Sequence, residues 1–343
     1  MNKAAVVNII LSAHHLKKPV VDNATAFAPS NIALIKYWGK RDEELNLPYT
    51  SSLSISLGKK GTVTSLTNSQ DLTDYIYLNK TLIPHHHPAA QRIIQFLNLF
   101  RLPSQQYWCI HTETNLPIAA GLASSASGFA ALTLALNQWF GWDLSLQKLS
   151  ILARLGSGSA CRSLWHGFVK WHPGEMEEGI DSYAELLPVQ WPELRIGLLI
   201  INTNTKAISS REAMRHTVNT SSLYNSWPLQ VKDDFLPMEH AIQHKNFTLL
   251  GETAEANALA MHATMLSARP AILYSQPETI QLMQRVWQLR QQGIAVYFTQ
   301  DAGPNLKLLF LETDLPAIAN AFPEIEVIAP FESFSSVSIK EDT

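Results

Sequence analysis

Between Thr50 and Leu57 the apolar residues Leu53, Ile55 and Leu57 alternate with serines, a period of two that predicts a half-buried strand. Thr62 to Thr67, Asp74 to Leu78 and Tyr107 to Thr112 carry further strand patterns. Pro88 to Phe100 instead spaces Ile93, Ile94, Leu97 and Phe100 as a helix does. Residues 25 to 40 begin extended around Ala28-Pro29-Ser30 and turn quickly into polar, glycine-containing sequence. Ser124 to Trp139 and Ser145 to Leu155 predict successive helices, the second capped by Ser145 and striped by Leu146, Leu149, Leu152 and Leu155. A small-residue corner at Gly156 to Arg162 leads to a strand over Gly167 to Trp171.

A change of composition at Trp191-Pro192-Glu193 precedes the apolar strand Leu194 to Ile201, so the domain boundary is placed there, giving 1–192 and 193–343. The second part reads as α+β, with helices at Ser209 to Thr220, Glu252 to Leu266 and Pro277 to Gln292 and strands at Ile294 to Thr299 and Leu306 to Leu311. Lys3 to Ala13 reads as a terminal extension or strand, because Asn8 interrupts its apolar run and two histidines follow, unlike a signal peptide. No other segment approaches membrane-spanning length.

At 343 residues the chain exceeds the roughly 250–300 at which a single core stops growing, which favours two domains sharing a cleft. Hydrophobic residues at 46% and charged residues at 16% describe a soluble globular protein. The net charge of -3, without a long Lys/Arg block, gives no reason to expect nucleic acid, so an anionic substrate must be met by local cations. Cys109 and Cys161 are too few for a disulfide scaffold and lack zinc spacing, which points to a reducing, cytoplasmic setting.

Four segments carry chemistry. Pro117 to Gly128 is a run of small residues ahead of the apolar Phe129 to Leu136, and such a loop can lead bare amides into a helix N-terminus to hold phosphate. It lacks the Gly-Lys-Ser/Thr ending of the common P-loop and the dinucleotide fingerprint, and Ser124 or Ser125 also suits a helix cap. In Lys36-Tyr37-Trp38-Gly39-Lys40, with Asn31 upstream, a turn at Gly39 could bring both ammonium groups to one anion pocket; equally, the lysines could be solvent charges around a buried Trp38. Arg162, closing Gly156 to Arg162, offers a two-pronged grip on carboxylate or phosphate, or a structural salt bridge. Asp301, in Phe298 to Asn305, could orient or deprotonate a hydroxyl, bind magnesium or accept turn hydrogen bonds. His85-His86-His87 reads as a polar loop, since consecutive residues share no face and no acid supports them.

Taken together and in order, Ala28-Pro29-Ser30-Asn31-Ile32-Ala33, Lys36 to Asp42, Gly121 to Gly128, Gly156 to Arg162 and Asp301-Ala302-Gly303-Pro304-Asn305 resemble the mevalonate diphosphate decarboxylase family of the GHMP kinase superfamily. The resemblance covers most of the chain. It implies a two-domain GHMP kinase-like fold of α/β and α+β character with a catalytic interdomain cleft, assembled as a homodimer. The first domain would bind ATP and substrate, and the second would contribute Asp301. The reaction implied converts mevalonate 5-diphosphate and ATP, with Mg2+ or another divalent cation, into isopentenyl diphosphate, ADP, phosphate and carbon dioxide.

By the same resemblance, Asp301 sits at the C3 hydroxyl, Lys36 near that oxygen and the transferring phosphate, Ser125 on the phosphoryl path and Arg162 against the substrate carboxylate. Tyr37, Lys40, Ser157 and Ser159 surround the diphosphate, and Asn31 supports the neighbourhood. Gly121, Leu122, Ala123, Ser124, Ser125, Ala126, Ser127 and Gly128 wrap the ATP phosphates.

Two departures bear on specificity. Where the family often has Arg-Ile-Trp-Leu-Asn, with the Arg at the diphosphate, this chain reads Tyr75-Ile76-Tyr77-Leu78-Asn79 and lacks that cation. Where the family usually has Thr in the third position and Gly in the fifth, it reads Ser209-Ser210-Arg211-Glu212-Ala213-Met214, and Arg211 is expected to supply the missing charge across space. The rival functions are a monophosphate decarboxylase, a small-molecule kinase that stops at phosphorylation, and a catalytically silent nucleotide-binding interaction protein.

Overall fold

The computed structural model describes residues 1–12, 18–101, 106–116, 124–202 and 208–332. The chain begins with α1 (Lys3–Leu11), β1 (Asn23–Ile35), β2 (Lys40–Asp42), β3 (Leu47–Pro48), β4 (Ser52–Asn68), β5 (Tyr75–Leu78), β6 (Thr81–Leu82), α2 (Pro88–Leu97) and β7 (Trp108–Thr114). It continues through α3 (Ser124–Phe140), α4 (Leu146–Gly156), a 3-10 turn at Gly158–Arg162, β8 (Phe168–Trp171), β9 (Ala184–Leu186) and β10 (Leu194–Leu199). Then come α5 (Ser210–Thr220), α6 (Trp227–Gln243), α7 (Phe247–Leu266), α8 (Pro277–Gln291), β11 (Val296–Gln300), β12 (Leu306–Leu311), α9 (Leu315–Ala321) and β13 (Glu326–Ile328).

Residues 23 to 186 supply a seven-stranded sheet in the order β6-β5-β7-β4-β8-β9, with β1 also paired to β4, and residues 194 to 328 supply a four-stranded sheet in the order β11-β12-β10-β13. Strand β4 merges the two strands expected at Thr50 to Leu57 and Thr62 to Thr67, because its ends pair with different neighbours, β8 at Ser52 to Ile55 and β7 at Thr62 to Asn68. Along β1 the register slips between Pro29 and Asn31 and between Ala33 and Ile35. Proline has no N–H for the ladder, and such slips re-aim the residues beyond them. Here those residues are Asn31 and, just past the strand, Lys36.

Apolar packing joins the two sheets. One cluster runs from Ile32, Leu34, Leu53 and Ile55 to Trp227, Val231, Met238, Leu250 and Met261, so α6 and α7 share a core with β1 and β4. Helix α7 touches both β1 and β11. A second cluster packs α1 to α4 against the larger sheet.

Further differences from the expectation lie in helices α1, α6 and α7. Residues 3 to 11 form a helix, not a strand: Asn2 accepts from the Ala5 N–H at 2.9 Å, and Val6, Val7, Ile10 and Leu11 are buried on one face. Each such side chain contributes about 1.5–3 kcal/mol, more than the interrupting Asn8 costs. Helix α6 has no counterpart in the sequence reading, since Pro237 inside it obscures the period; Pro228 sits in its first turn, where a missing N–H is tolerated. Helix α7 starts earlier than Glu252, at a cap in which the Leu249 N–H donates to Asn246 Oδ1 at 3.1 Å.

The histidine run behaves as a polar loop. His87 Nδ1 accepts from the Ala89 N–H at 3.2 Å, and His85 Nε2 lies 2.6 Å from the Asp74 carbonyl. No helix among the described residues is long and apolar enough to cross a membrane.

Candidate active site

Asp301 follows β11 in a turn fixed on several sides. Gln300 Nε2 donates to the Gly303 carbonyl at 2.8 Å, and Asn305 Oδ1 accepts from the Ile201 and Asn202 N–H groups at 2.7 and 3.0 Å. Both carboxylate oxygens are engaged, Oδ1 by Lys36 Nζ at 2.7 Å and Oδ2 by Lys307 Nζ at 3.0 Å. Both lysines are 2% exposed, whereas Asp301 keeps 25% of its side chain open. An acid of this kind can still touch a small molecule.

The electrostatics follow from that geometry. Burial pushes the Asp301 carboxyl upward, but the charges of Lys307 and Lys36 outweigh it and hold the group well below the ordinary carboxylate range. Burial lowers Lys36 to about 8, with Asp301 opposing the fall. His262 on α7 is lowered by burial, then by Lys36, to about 4. It is therefore neutral near pH 7, and its Nε2–H donates to the Asp301 carbonyl at 3.2 Å. Lys36 is fixed through its backbone as well, its N–H donating to Asn257 Oδ1 at 2.8 Å while Asn257 Nδ2 donates to Asp234 Oδ2 at 2.8 Å.

Arg162 closes the 3-10 turn, is 2% exposed and forms no ion pair among the described residues. Its Nη1 donates to Ser52 Oγ at 2.7 Å, its guanidinium lies 5.5 Å from the Trp171 ring centre, and its Nε–H has no hydrogen-bond partner among the described residues. Burial lowers its pKa, and the charges of Cys161, Tyr37 and Asp301 oppose the fall. The Tyr37 hydroxyl is likewise buried without a hydrogen-bond partner among the described residues, its ring 4.8 Å from that of Trp171. A Cβ at Gly158 would stand 2.7 Å from the Tyr37 ring, so glycine is required for this close approach. Asn31 Nδ2 donates to Ser163 Oγ at 2.7 Å and bears on the Ser159 carbonyl, while Ser157 and Ser159 hydroxyls stand 3.5 Å apart.

Lys36 and Lys40 do not converge. Gly39 adopts φ +105°, with the Tyr224 hydroxyl packed against it, and the turn sends the lysines to different groups. Lys40 Nζ donates to Asn46 Oδ1 at 2.7 Å; burial lowers it to about 8, helped by Arg211, Lys3 and Arg92. None of the charges acting on Lys36 is among these. The Tyr75 hydroxyl donates to Asp71 Oδ2 at 2.6 Å.

Of the small-residue loop, Gly121, Leu122 and Ala123 lie outside the described residues, and Ser124 opens α3. Ser125 is exposed in the first turn. Ala126 and Ser127 point into the core, where Ser127 Oγ meets Ser30 Oγ at 3.0 Å and Thr62 Oγ1 at 2.7 Å, leaving only backbone toward a ligand. Gly128 is half-buried, with nothing within 4 Å of where a Cβ would stand.

Sequence reasoning missed Lys307, His262, Asn257 and Asp234. Lys307 did leave a signal: it interrupts Leu306-Lys307-Leu308-Leu309-Phe310, and a cation within an apolar strand demands a buried acid. No group of three His, Cys, Asp or Glu among the described residues could hold a metal ion. A hard divalent cation fits this site as the counter-ion of bound phosphates, taking few protein ligands.

The profile of the diphosphomevalonate decarboxylase-like N-terminal domain matches residues 28–184, and that of the mevalonate 5-diphosphate decarboxylase C-terminal domain matches 196–339. The diphosphomevalonate decarboxylase mvd1 of Aspergillus fumigatus is 39% identical over 328 residues, covering 89% of this chain and 81% of the relative. The crystal structure of mevalonate diphosphate decarboxylase from Staphylococcus aureus superposes with a TM-score of 0.84 at 37% identity, over 90% of this chain and 95% of that one. A further solved structure, MDDEF in complex with MVAPP, AMPPCP and magnesium, gives 0.83 at 41% identity over 89% and 95% of the respective chains.

Proposed function

This chain belongs to the mevalonate diphosphate decarboxylase family, and from that premise we propose how its cleft carries the reaction. The protein is an ATP-dependent carboxy-lyase that converts mevalonate 5-diphosphate into isopentenyl diphosphate, ADP, phosphate and carbon dioxide.

The tertiary C3 hydroxyl of the substrate is a poor leaving group until it carries phosphate. Asp301, clamped by Lys36 and Lys307, is a weak base but a well-placed acceptor. It holds the hydroxyl in line and takes its proton late, as suits a loose phosphoryl transfer in which positioning matters more than base strength. Lys36 faces the transferred phosphoryl group, and Ser125 lies on its path. A divalent cation bound with ATP neutralises charge on the phosphates. Arg162 fixes the carboxylate. When the C3–O bond breaks, phosphate leaves with its electron pair, the C1–C2 bonding pair becomes the new C2–C3 double bond, and C1 departs as carbon dioxide. Tyr37, Lys40, Ser157, Ser159 and Arg211 hold the diphosphate, Asn31 braces the serine turn, and residues 121–128 receive the nucleotide phosphates.

The observation that carries this reading is a carboxylate held by two buried ammonium groups, Lys36 and Lys307; beside it stands a buried guanidinium, Arg162, that forms no ion pair among the described residues. We place the boundary between the domains at residue 193 and the protein in the cytoplasm as a homodimer; the unpaired Cys109 and Cys161 fit a reducing setting. The test is a product assay with ATP, Mg2+ and either mevalonate 5-diphosphate or mevalonate 5-phosphate. Isopentenyl diphosphate and carbon dioxide must form in step with ADP from the diphosphate. ADP without carbon dioxide would make the protein a kinase and sink the reading.

A further inference from the structure

Helix α1 lies outside the residues matched by either family profile, yet it is built into the fold, with Val6 and Val7 at 0% exposure and α1 against α4. Its first turn reaches the segment between β2 and β3, where the Lys3 N–H donates to Glu44 Oε1 at 3.4 Å. The same segment carries Asn46, which receives Lys40 Nζ at 2.7 Å and whose Nδ2 donates to the Arg154 carbonyl at 2.9 Å. Two residues further on, the Gly156 carbonyl takes Arg92 Nη2 at 3.5 Å, with the Arg92 guanidinium 5.3 Å from the Phe129 ring centre. Gly156 directly precedes Ser157. The end of α4 thus ties Lys40 and Arg92 to one corner of the fold, and the backbone of Lys3 reaches the same segment at Glu44.

Lys3, Lys40, Arg92 and Arg211 form no ion pair among the described residues. Arg211 bears repulsively on the other three, against which Glu43 and Glu44 supply the opposing charge. Lys3, Lys40 and Arg92 are half-buried and Arg211 is exposed; like charges gathered this way cost folding free energy, a cost that a multiply charged anion offsets. The site lies beside Ser157, at the opposite set of charges from Asp301.

We propose that Lys3 and Arg92 bind the terminal phosphate of the substrate's diphosphate alongside Lys40 and Arg211, which makes α1 a specificity-determining part of the substrate site. The inference rests on the substrate reading above and extends it. It also accounts for Tyr75: the charge lost from β5 is supplied by α1 and α2, whose cations serve the second phosphate and so favour a diphosphate over a monophosphate.

The test is calorimetric titration of the full chain, without ATP, with mevalonate 5-diphosphate, mevalonate 5-phosphate and inorganic diphosphate. Lys3→Gln and Arg92→Gln should each weaken both diphosphates about tenfold, the scale of one charge-assisted contact, and the monophosphate less than about twofold. Lys3→Arg, which keeps the charge, should restore binding to within about twofold, Arg92→Lys, which keeps the charge but loses the stack on Phe129, should restore it in part, and the remote surface variant Lys59→Gln should match wild type. Equal losses for diphosphate and monophosphate, no loss in either Gln variant, or no rescue by the charge-keeping variants would overturn the proposal. If wild type releases no carbon dioxide while Lys3→Gln still weakens inorganic diphosphate, the reaction reading fails and the anion site stands.

Discussion

Lys36 Nζ lies 2.7 Å from Asp301 Oδ1, although 265 positions separate the two residues along the chain. The contact joins the end of β1 to the end of β11, and helix α7 holds both partners, through Asn257 to the Lys36 N–H and through His262 to the Asp301 carbonyl. The Lys36–Asp301 pair is thus made where the two sheets share a core.

Asp301→Asn should lower kcat by about a thousandfold or more while leaving ATP binding within about twofold, because the amide cannot take the hydroxyl proton and leaves two ammonium groups without their acid. Steady-state kinetics and nucleotide titration check this. A kcat within tenfold of wild type would remove Asp301 from the chemistry.

The same pair sets the acid limb of stability. Asp301 has a folded pKa below its ordinary 3.8, so its contribution is present above that value and is lost as pH falls below it, where the unfolded chain binds the proton first. Urea unfolding between pH 5 and about pH 3 should show wild type losing more stability than Asp301→Asn. Parallel curves would contradict the sign.

Alkaline pH acts on different groups. Lys36 and Lys40 are each lowered to about 8 in the free protein, so kcat/KM should fall above that pH as both cations deprotonate. Lys40→Arg keeps its charge throughout and should make the falling limb shallower, leaving the contribution of Lys36. A profile flat to pH 9.5 would refute the assignment.

Arg162→Gln should cut kcat by about a hundredfold or more with no loss of thermal stability, since it removes a buried charge that has no ion-pair partner among the described residues. Ser52→Ala, which frees Nη1, should give a smaller loss of about five- to tenfold in kcat. An unfolded Arg162→Gln, or an active one, would show a structural role instead.

Gly158→Ala drives a methyl to 2.7 Å from the Tyr37 ring, where Trp171 blocks retreat. It should cost about 1–3 kcal/mol of stability and raise KM for the diphosphate substrate. Unchanged KM would separate Tyr37 from the binding site.

The motifs were legible because each is compressed into a few residues. Ser145 caps α4 as its position implied, with Lys148 N donating to its hydroxyl at 3.4 Å, and β12 occupies Leu306 to Leu311 as its apolar run implied. What stayed hidden depends on distant partners. Nothing local to Lys307 names Asp301, and nothing in α7, buried on several faces, marks His262 or Asn257 as polar supports. Gly39 was recognised as a turn, but only the packing of Tyr224 against it shows that the turn parts Lys36 from Lys40. Tyr75 and Arg211 were visible as departures, whereas Lys3 looked like part of an extension until α1 folded it against the segment that carries Lys40.

The most direct measurement is a crystal structure of the protein with mevalonate 5-diphosphate and a non-hydrolysable ATP analogue, read at two distances. The account predicts the C3 hydroxyl within about 2.6–3.2 Å of an Asp301 oxygen and the same molecule's carboxylate at hydrogen-bonding distance from Arg162. A substrate that reaches one of these groups and not the other would contradict it.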